Sequence, residues 1–181
     1  MATTLVLSPR DRSLLRILSW TPATAAQLFQ ASASFDEGPY QDERRLRERV
    51  QSLCEARFVR LWQTGHAGGG LKNYYKLTPA GFQALIGSDV ALPPRAFFQE
   101  TSPALFEHTL FLADVIIQSV VAAHGQKITI CRFFRENDLP FSAGERQVQP
   151  DCFFQFTIDG RIFNIAFEID LSTESIDSSH S

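Results

Sequence analysis

Gln149-Pro150-Asp151-Cys152-Phe153-Phe154-Gln155-Phe156-Thr157-Ile158 is followed by Asp159-Gly160 and then by Arg161-Ile162-Phe163-Asn164-Ile165-Ala166-Phe167-Glu168-Ile169-Asp170. Both ten-residue runs alternate in polarity, and Asp-Gly between such runs signals a tight hairpin, because primed turns need positive φ. A two-residue loop at Asp159-Gly160 pairs Ile158 with Arg161. Carried outward, that register sets Asp151 across from Glu168, with side chains about 5 Å apart. Asp170 follows two residues later on the same face. Like charges directly opposite destabilise a sheet, so the three carboxylates ask for a cation, a shared proton or an arginine.

Upstream of the hairpin, Ser102-Pro103 opens a long apolar helix running to about Ala123, with Glu107, Asp114 and Gln118 on its remaining side. Its wide apolar face is expected to lie against a sheet. A strand over 127–136 follows, then a polar loop to Glu145. His108, on that apolar helix, reads as a packed and hydrogen-bonded histidine.

The front of the chain is built differently. Ser8-Pro9-Arg10-Asp11 supplies an N-cap, a proline at the first helical position and an acid in the first turn. The helix it starts ends near Trp20, and a second is expected from Thr21-Pro22 through Leu28-Phe29. A third opens at Gly38-Pro39 and runs to about Ala56, with Leu46, Val50, Leu53 and Cys54 at helical spacing. Strands at 58–62 and 73–77 flank the glycine-rich loop 65–70, and Thr78-Pro79-Ala80-Gly81 caps a last helix. Three helices, a hairpin and a helix is the order of a winged helix-turn-helix.

On the third helix, Arg44, Arg47 and Gln51 fall opposite the leucine-valine stripe, with Arg45 alongside. Arginine can hold phosphates or read guanine, and glutamine can read adenine. Such a face suits a major groove. Its alternative is a solvated face, since Glu48 and Glu55 stand at pairing distance along the helix. Loop 65–70 with Lys72 forms the expected wing, in which His66 is either an exposed loop residue or a contact.

The chain of 181 residues is 44% hydrophobic, with a net charge of −3. Residues 1–86 carry 11 Lys+Arg against 7 Asp+Glu, whereas 87–181 carry 6 against 13. A basic front and an acidic back suggest different partners. The junction is expected at 87–94, dividing the chain into units at 1–88 and 95–181. Cys54, Cys131 and Cys152 show neither disulfide nor zinc spacing. The first ten residues lack the features of a signal peptide, and the apolar stretches are expected to fall short of a membrane span. A cytoplasmic protein without a membrane partner is the resulting expectation. No Ser/His/Asp or Cys/His nucleophilic arrangement is visible, and 68–72 lacks P-loop spacing.

A helix bearing an acid, Pro150-Asp151 opening one strand and Glu168 with Asp170 ending the next resemble the PD-(D/E)xK nuclease core. The whole layout, with Phe106-Glu107-His108-Thr109-Leu110, Gln149-Pro150-Asp151 and Phe167-Glu168-Ile169-Asp170-Leu171-Ser172-Thr173-Glu174, is similar to the replication-relaxation family of plasmid and mobile-element proteins. The resemblance spans roughly residues 8–174. It implies an α+β protein, a winged helix followed by a restriction-endonuclease-like unit, working in replication, mobilisation or transcription control. It also implies double-stranded DNA as a partner, with a homodimer and other replication or mobilisation proteins as further candidates.

By the same resemblance, Asp151 and Glu168 take the catalytic and metal-binding acid roles, to which Asp170, as an acid, can add a third ligand. The pattern calls for lysine at position 170, to stabilise developing charge. Asp170 cannot do that, so the unit is expected to be degenerate or incomplete. Three readings of the carboxylates stay open: a Mg²⁺ or Mn²⁺ site, a vestigial site neutralised by Arg132, Arg135 or Arg146, and a solvated strand edge. Two alternatives to a non-catalytic DNA-binding protein stand beside it, a Mg- or Mn-dependent DNA endonuclease and a protein-interaction module.

Overall fold

Ser8 caps the first helix, α1 (Pro9–Trp20), through a reciprocal capping box with Asp11. The computed structural model describes residues 5–65, 70–136, 141–143 and 146–171. The fold is α+β. α2 (Ala25–Ala31) starts later than Thr21-Pro22 suggests, with Thr24 and Gln27 forming its capping box. The reason is tertiary: Ala23 exchanges two backbone hydrogen bonds with Tyr75, at 3.2 and 2.8 Å, and so stays extended.

α3 (Glu43–Glu55) is capped by the Asp42 carboxylate, which accepts from the Arg45 amide at 2.8 Å, rather than opening at Gly38-Pro39. Leu46, Val50 and Leu53 on its inner face are fully buried. The antiparallel strands β1 (Val59–Gly65) and β2 (Leu71–Leu77) follow, and Thr78 caps α4 (Pro79–Ile86). Gly81 is obligatory there: a Cβ would stand 1.9 Å from the Phe58 carbonyl oxygen. That close approach seats α4 on the root of the hairpin.

The second half begins with α5 (Pro103–Gly125), followed by β3 (Thr129–Arg135), β6 (Cys152–Ile158) and β7 (Arg161–Phe167) in an antiparallel sheet ordered β3-β6-β7. Ile158 pairs with Arg161, and Asp159 and Gly160 both take positive φ, at 49° and 73°. The hairpin register read from Asp-Gly therefore holds. Between β3 and β6 the polar loop to Glu145 is not continuous. Phe141–Ala143 (β4) pairs antiparallel with Arg146–Val148 (β5), in runs of three residues that are too short for alternation to reveal. The register of β3 slips by one at Cys131, between Ile130 and Arg132.

α5 departs from one expectation. At 23 residues, with a mean hydropathy of 1.5 over its most apolar window, it is long and apolar enough to cross a membrane. Its few charged residues leave long apolar runs between them. Here the stripe Phe106, Leu110, Ala113, Ile116, Ile117, Val120 and Ala123 is buried within the fold, and α5 packs on α2 as well as on the sheet. Gln27 of α2 clamps it, donating to the Leu110 carbonyl at 3.1 Å and to the Asp114 carboxylate at 2.8 Å.

One buried cluster runs through both halves, from Leu14 and Leu53 to Ile116 and Phe154. Trp20 at the end of α1 stacks on Phe133 of β3 at 5.1 Å, and Phe133 meets Phe154 at 4.9 Å. Aromatic contacts of this kind add about 0.5–1.5 kcal/mol each beyond area burial. The late-chain phenylalanines thus form the seam that joins the sheet to the helices.

Candidate nucleic-acid interface

The inner leucines and valine of α3 fix which way its arginines point. With Leu46, Val50 and Leu53 turned into the core, Arg44, Arg45, Arg47 and Gln51 lie on the exposed side of the helix. Each is engaged by a neighbouring acid. Arg44 lies 3.6 Å from Glu48 and Arg45 3.7 Å from Asp42, Arg47 Nε donates to Glu43 at 2.9 Å, and Gln51 donates to Glu55 at 3.2 Å. Such surface pairs contribute only about 0–1 kcal/mol. A phosphate can therefore displace them at small cost.

Arg49 belongs to a different chemistry. It clasps the fully buried Asp11 carboxylate with two guanidinium donors, through Nε at 2.6 Å and a second nitrogen on the other oxygen. The Ser8 amide and hydroxyl donate to the same group, each at 2.8 Å. Burial alone pushes the Asp11 carboxyl upward, but Arg49 and Ser8 outweigh it and hold the group below its usual range. This bond fixes α3 against α1 and so sets the tilt of the arginine face. Asp11 and Arg49 are 38 residues apart, and no local spacing connects them.

The Ala23–Tyr75 bridge brings the start of α2 beside β2. There residues 24–26, Arg47 of α3 and residues 71–73 of β2 line one groove of about 280 Å³. Arg47 and Lys72 are thereby brought to a common surface, and Lys72 is exposed. Arg44, Arg45 and Gln51 are not among the groove's lining residues. His66 lies outside the described residues. The inner side of the hairpin is held by α5: Tyr74 packs on Phe106 at 5.1 Å, and its hydroxyl accepts from the Thr101 amide at 2.9 Å.

The carboxylates of the second half are arranged otherwise than the hairpin arithmetic suggests. The β6-β7 ladder ends at Cys152 opposite Phe167, one step short of Asp151 and Glu168. Asp151 is buried, with Oδ1 3.1 Å from His108 Nε2 and Oδ2 accepting from the Ile169 amide at 2.7 Å. Glu168 and Asp170 are exposed. Among the described residues, no three His, Cys, Asp or Glu side chains come together in a group that could hold a metal ion. The repulsion foreseen for Asp151 is met by a histidine and a backbone amide. Sequence reasoning does not find this pairing, because His108 lies far along the chain on a helix whose rotation periodicity alone leaves open.

The replication-relaxation family model matches residues 16–180. No curated protein and no solved structure matches the chain. The family match extends from within α1, through the hairpin and the β3-β6-β7 sheet, and covers nearly the whole sequence. On that evidence the chain belongs to the replication-relaxation family, which points to a role in replication or mobilisation.

Proposed function

We propose that the protein binds double-stranded DNA in the replication, mobilisation or transcription of a mobile element. Residues 9–86 then act as a winged helix, with α3 as the helix entering the major groove and the β1-β2 hairpin as the wing. The observation that carries this reading is the shared groove of Arg47 and Lys72 beside the exposed arginine face of α3. Arg44, Arg45 and Gln51 extend that face along the helix. Phosphate contacts from such residues position a protein on duplex, and base-edge contacts from Arg and Gln add sequence preference. The second half, in this proposal, is a degenerate nuclease-like unit whose buried acid, Asp151, serves to hold α5 to the start of β6.

The test is duplex binding measured by fluorescence anisotropy over a series of salt concentrations. Arg44→Ala with Arg47→Ala weakens binding at low salt and flattens the log–log salt dependence by about two units, roughly 0.9 for each phosphate no longer neutralised. Unchanged affinity and slope remove α3 from the interface. Absence of binding to any duplex at low salt favours the protein-interaction reading instead.

A further inference from the structure

Lys76 is buried where a lysine has little reason to be. It sits on β2 with 7% of its surface exposed, and its ammonium donates to the Gln99 carbonyl at 2.5 Å. Among the described residues it meets no carboxylate. It lines a cleft of about 630 Å³ at the seam between the helices and the sheet, within the range of small-molecule sites. Arg135 of β3 lines the same cleft, its guanidinium 4.9 Å above the Phe97 ring. Trp20, Phe82, Phe97 and Phe133 supply aromatic walls, and Glu136, exposed, brings one negative charge. Among the described lining residues, the charged groups are Lys76, Arg135 and Glu136.

Burying an ammonium without a counter-ion is costly, and a second cation in the same cleft adds to the cost. Both effects are visible in Lys76, whose pKa falls to about 8, through burial first and Arg135 second. An anion placed between the two cations removes both penalties. Half-buried aromatic rings beside them favour an anion that carries a flat body able to stack.

We propose that this cleft binds a nucleotide, with Lys76 and Arg135 holding the phosphate and the aromatic walls receiving the base. The site is separate from the outward face of α3 and stands whether or not duplex binds there. Free nucleotides and the phosphorylated end of a DNA strand present the same chemistry.

Isothermal titration calorimetry on the full chain tests it, with deoxyadenosine monophosphate, deoxyadenosine and inorganic phosphate as probes. The nucleotide is expected to bind at least tenfold more tightly than either part. Lys76→Met, which keeps the aliphatic length and removes the charge, is expected to weaken it tenfold or more while leaving the melting temperature level or raised. Wild-type protein provides a second readout: binding weakens as pH rises from 7 to 9, because Lys76 loses its proton there. The phosphate is already dianionic across that range, since its second pKa is about 6. The other charged groups of the cleft are the Arg135 guanidinium and the Glu136 carboxylate. Competition by a duplex with 5′-phosphates, but not by its unphosphorylated counterpart, assigns the site to strand ends. Failure of both to compete assigns it to free nucleotide, and the cleft stands either way. No heat with millimolar nucleotide, equal affinity for inorganic phosphate, or pH-independent binding overturns the proposal.

Discussion

His108 Nε2 lies 3.1 Å from Asp151 Oδ1, so a side chain near the start of α5 faces the residue just before β6 at ion-pair distance. The other oxygen of Asp151 receives the Ile169 amide, just beyond the end of β7. One buried carboxylate thus ties together a helix and the adjoining ends of two strands.

Asp151→Ala leaves the Ile169 amide without its acceptor and removes the carboxylate facing the His108 ring. Loss of about 1–3 kcal/mol is expected from an unsatisfied buried donor. His108→Phe costs less, because the Ile169 bond survives. Urea unfolding of both single variants and the double variant gives their coupling. Strictly additive losses are incompatible with an interaction between His108 and Asp151.

Because Asp151 already accepts a hydrogen bond from the Ile169 amide, faces His108 at 3.1 Å and stands in no metal-ligating group among the described residues, Mg²⁺ or Mn²⁺ at millimolar concentration is expected to leave the melting temperature essentially unmoved. Ligand binding to the native state alone stabilises by mass action. A clear upward shift that disappears in Asp151→Asn would restore the metal-site reading.

Asp11 makes stability depend on acid. Its carboxyl is held below its ordinary value in the folded state, so its contribution is complete above the unfolded value, near 4. That contribution is lost as pH falls through the lowered, folded one. Breaking a fully buried pair costs about 3–5 kcal/mol. Arg49 is 30% exposed, so roughly 2 kcal/mol is the expected penalty for Asp11→Asn at pH 7. Chemical denaturation from pH 7 to 3 should show the gap between wild type and variant closing, and a constant gap contradicts the role given to Arg49.

Glu43 accepts a hydrogen bond from Arg47 Nε at 2.9 Å, so under the proposed duplex binding it would compete with phosphate for that guanidinium. Glu43→Gln is expected to tighten duplex binding a few-fold at low ionic strength, with the gain fading near 0.15 M salt as exposed charges are screened. A loss of affinity in this variant would mean that Glu43 orients Arg47 productively instead of occupying it.

Several elements can be read directly from residues because their causes are local. Ser8-Pro9-Arg10-Asp11 caps α1, Thr78-Pro79 starts α4, and Asp159-Gly160 sets the register of β6 and β7. Each rests on backbone chemistry within about four residues. The start of α2 departs from Thr21-Pro22 because Ala23 answers to Tyr75, on a distant strand. β4 and β5 are invisible to alternation because three-residue runs carry no periodicity.

The candidate site divides in the same way. Helical spacing alone places Arg44, Arg47 and Gln51 opposite the buried stripe of α3, since about 3.6 residues per turn leave no other arrangement. Spacing does not say that Arg47 shares a groove with Lys72, that Arg49 is spent on Asp11, or that Asp151 faces His108 rather than Glu168.

Local chain chemistry, then, determined the helices, the hairpin register, and which residues of α3 face outward. The packing of distant segments decided how those elements meet: Trp20 on Phe133, Gln27 on Asp114, Lys76 beside Arg135. The physical reason is that capping and periodicity act within a turn or two of chain. A shared core and its buried charges are set only when segments tens of residues apart exclude water together.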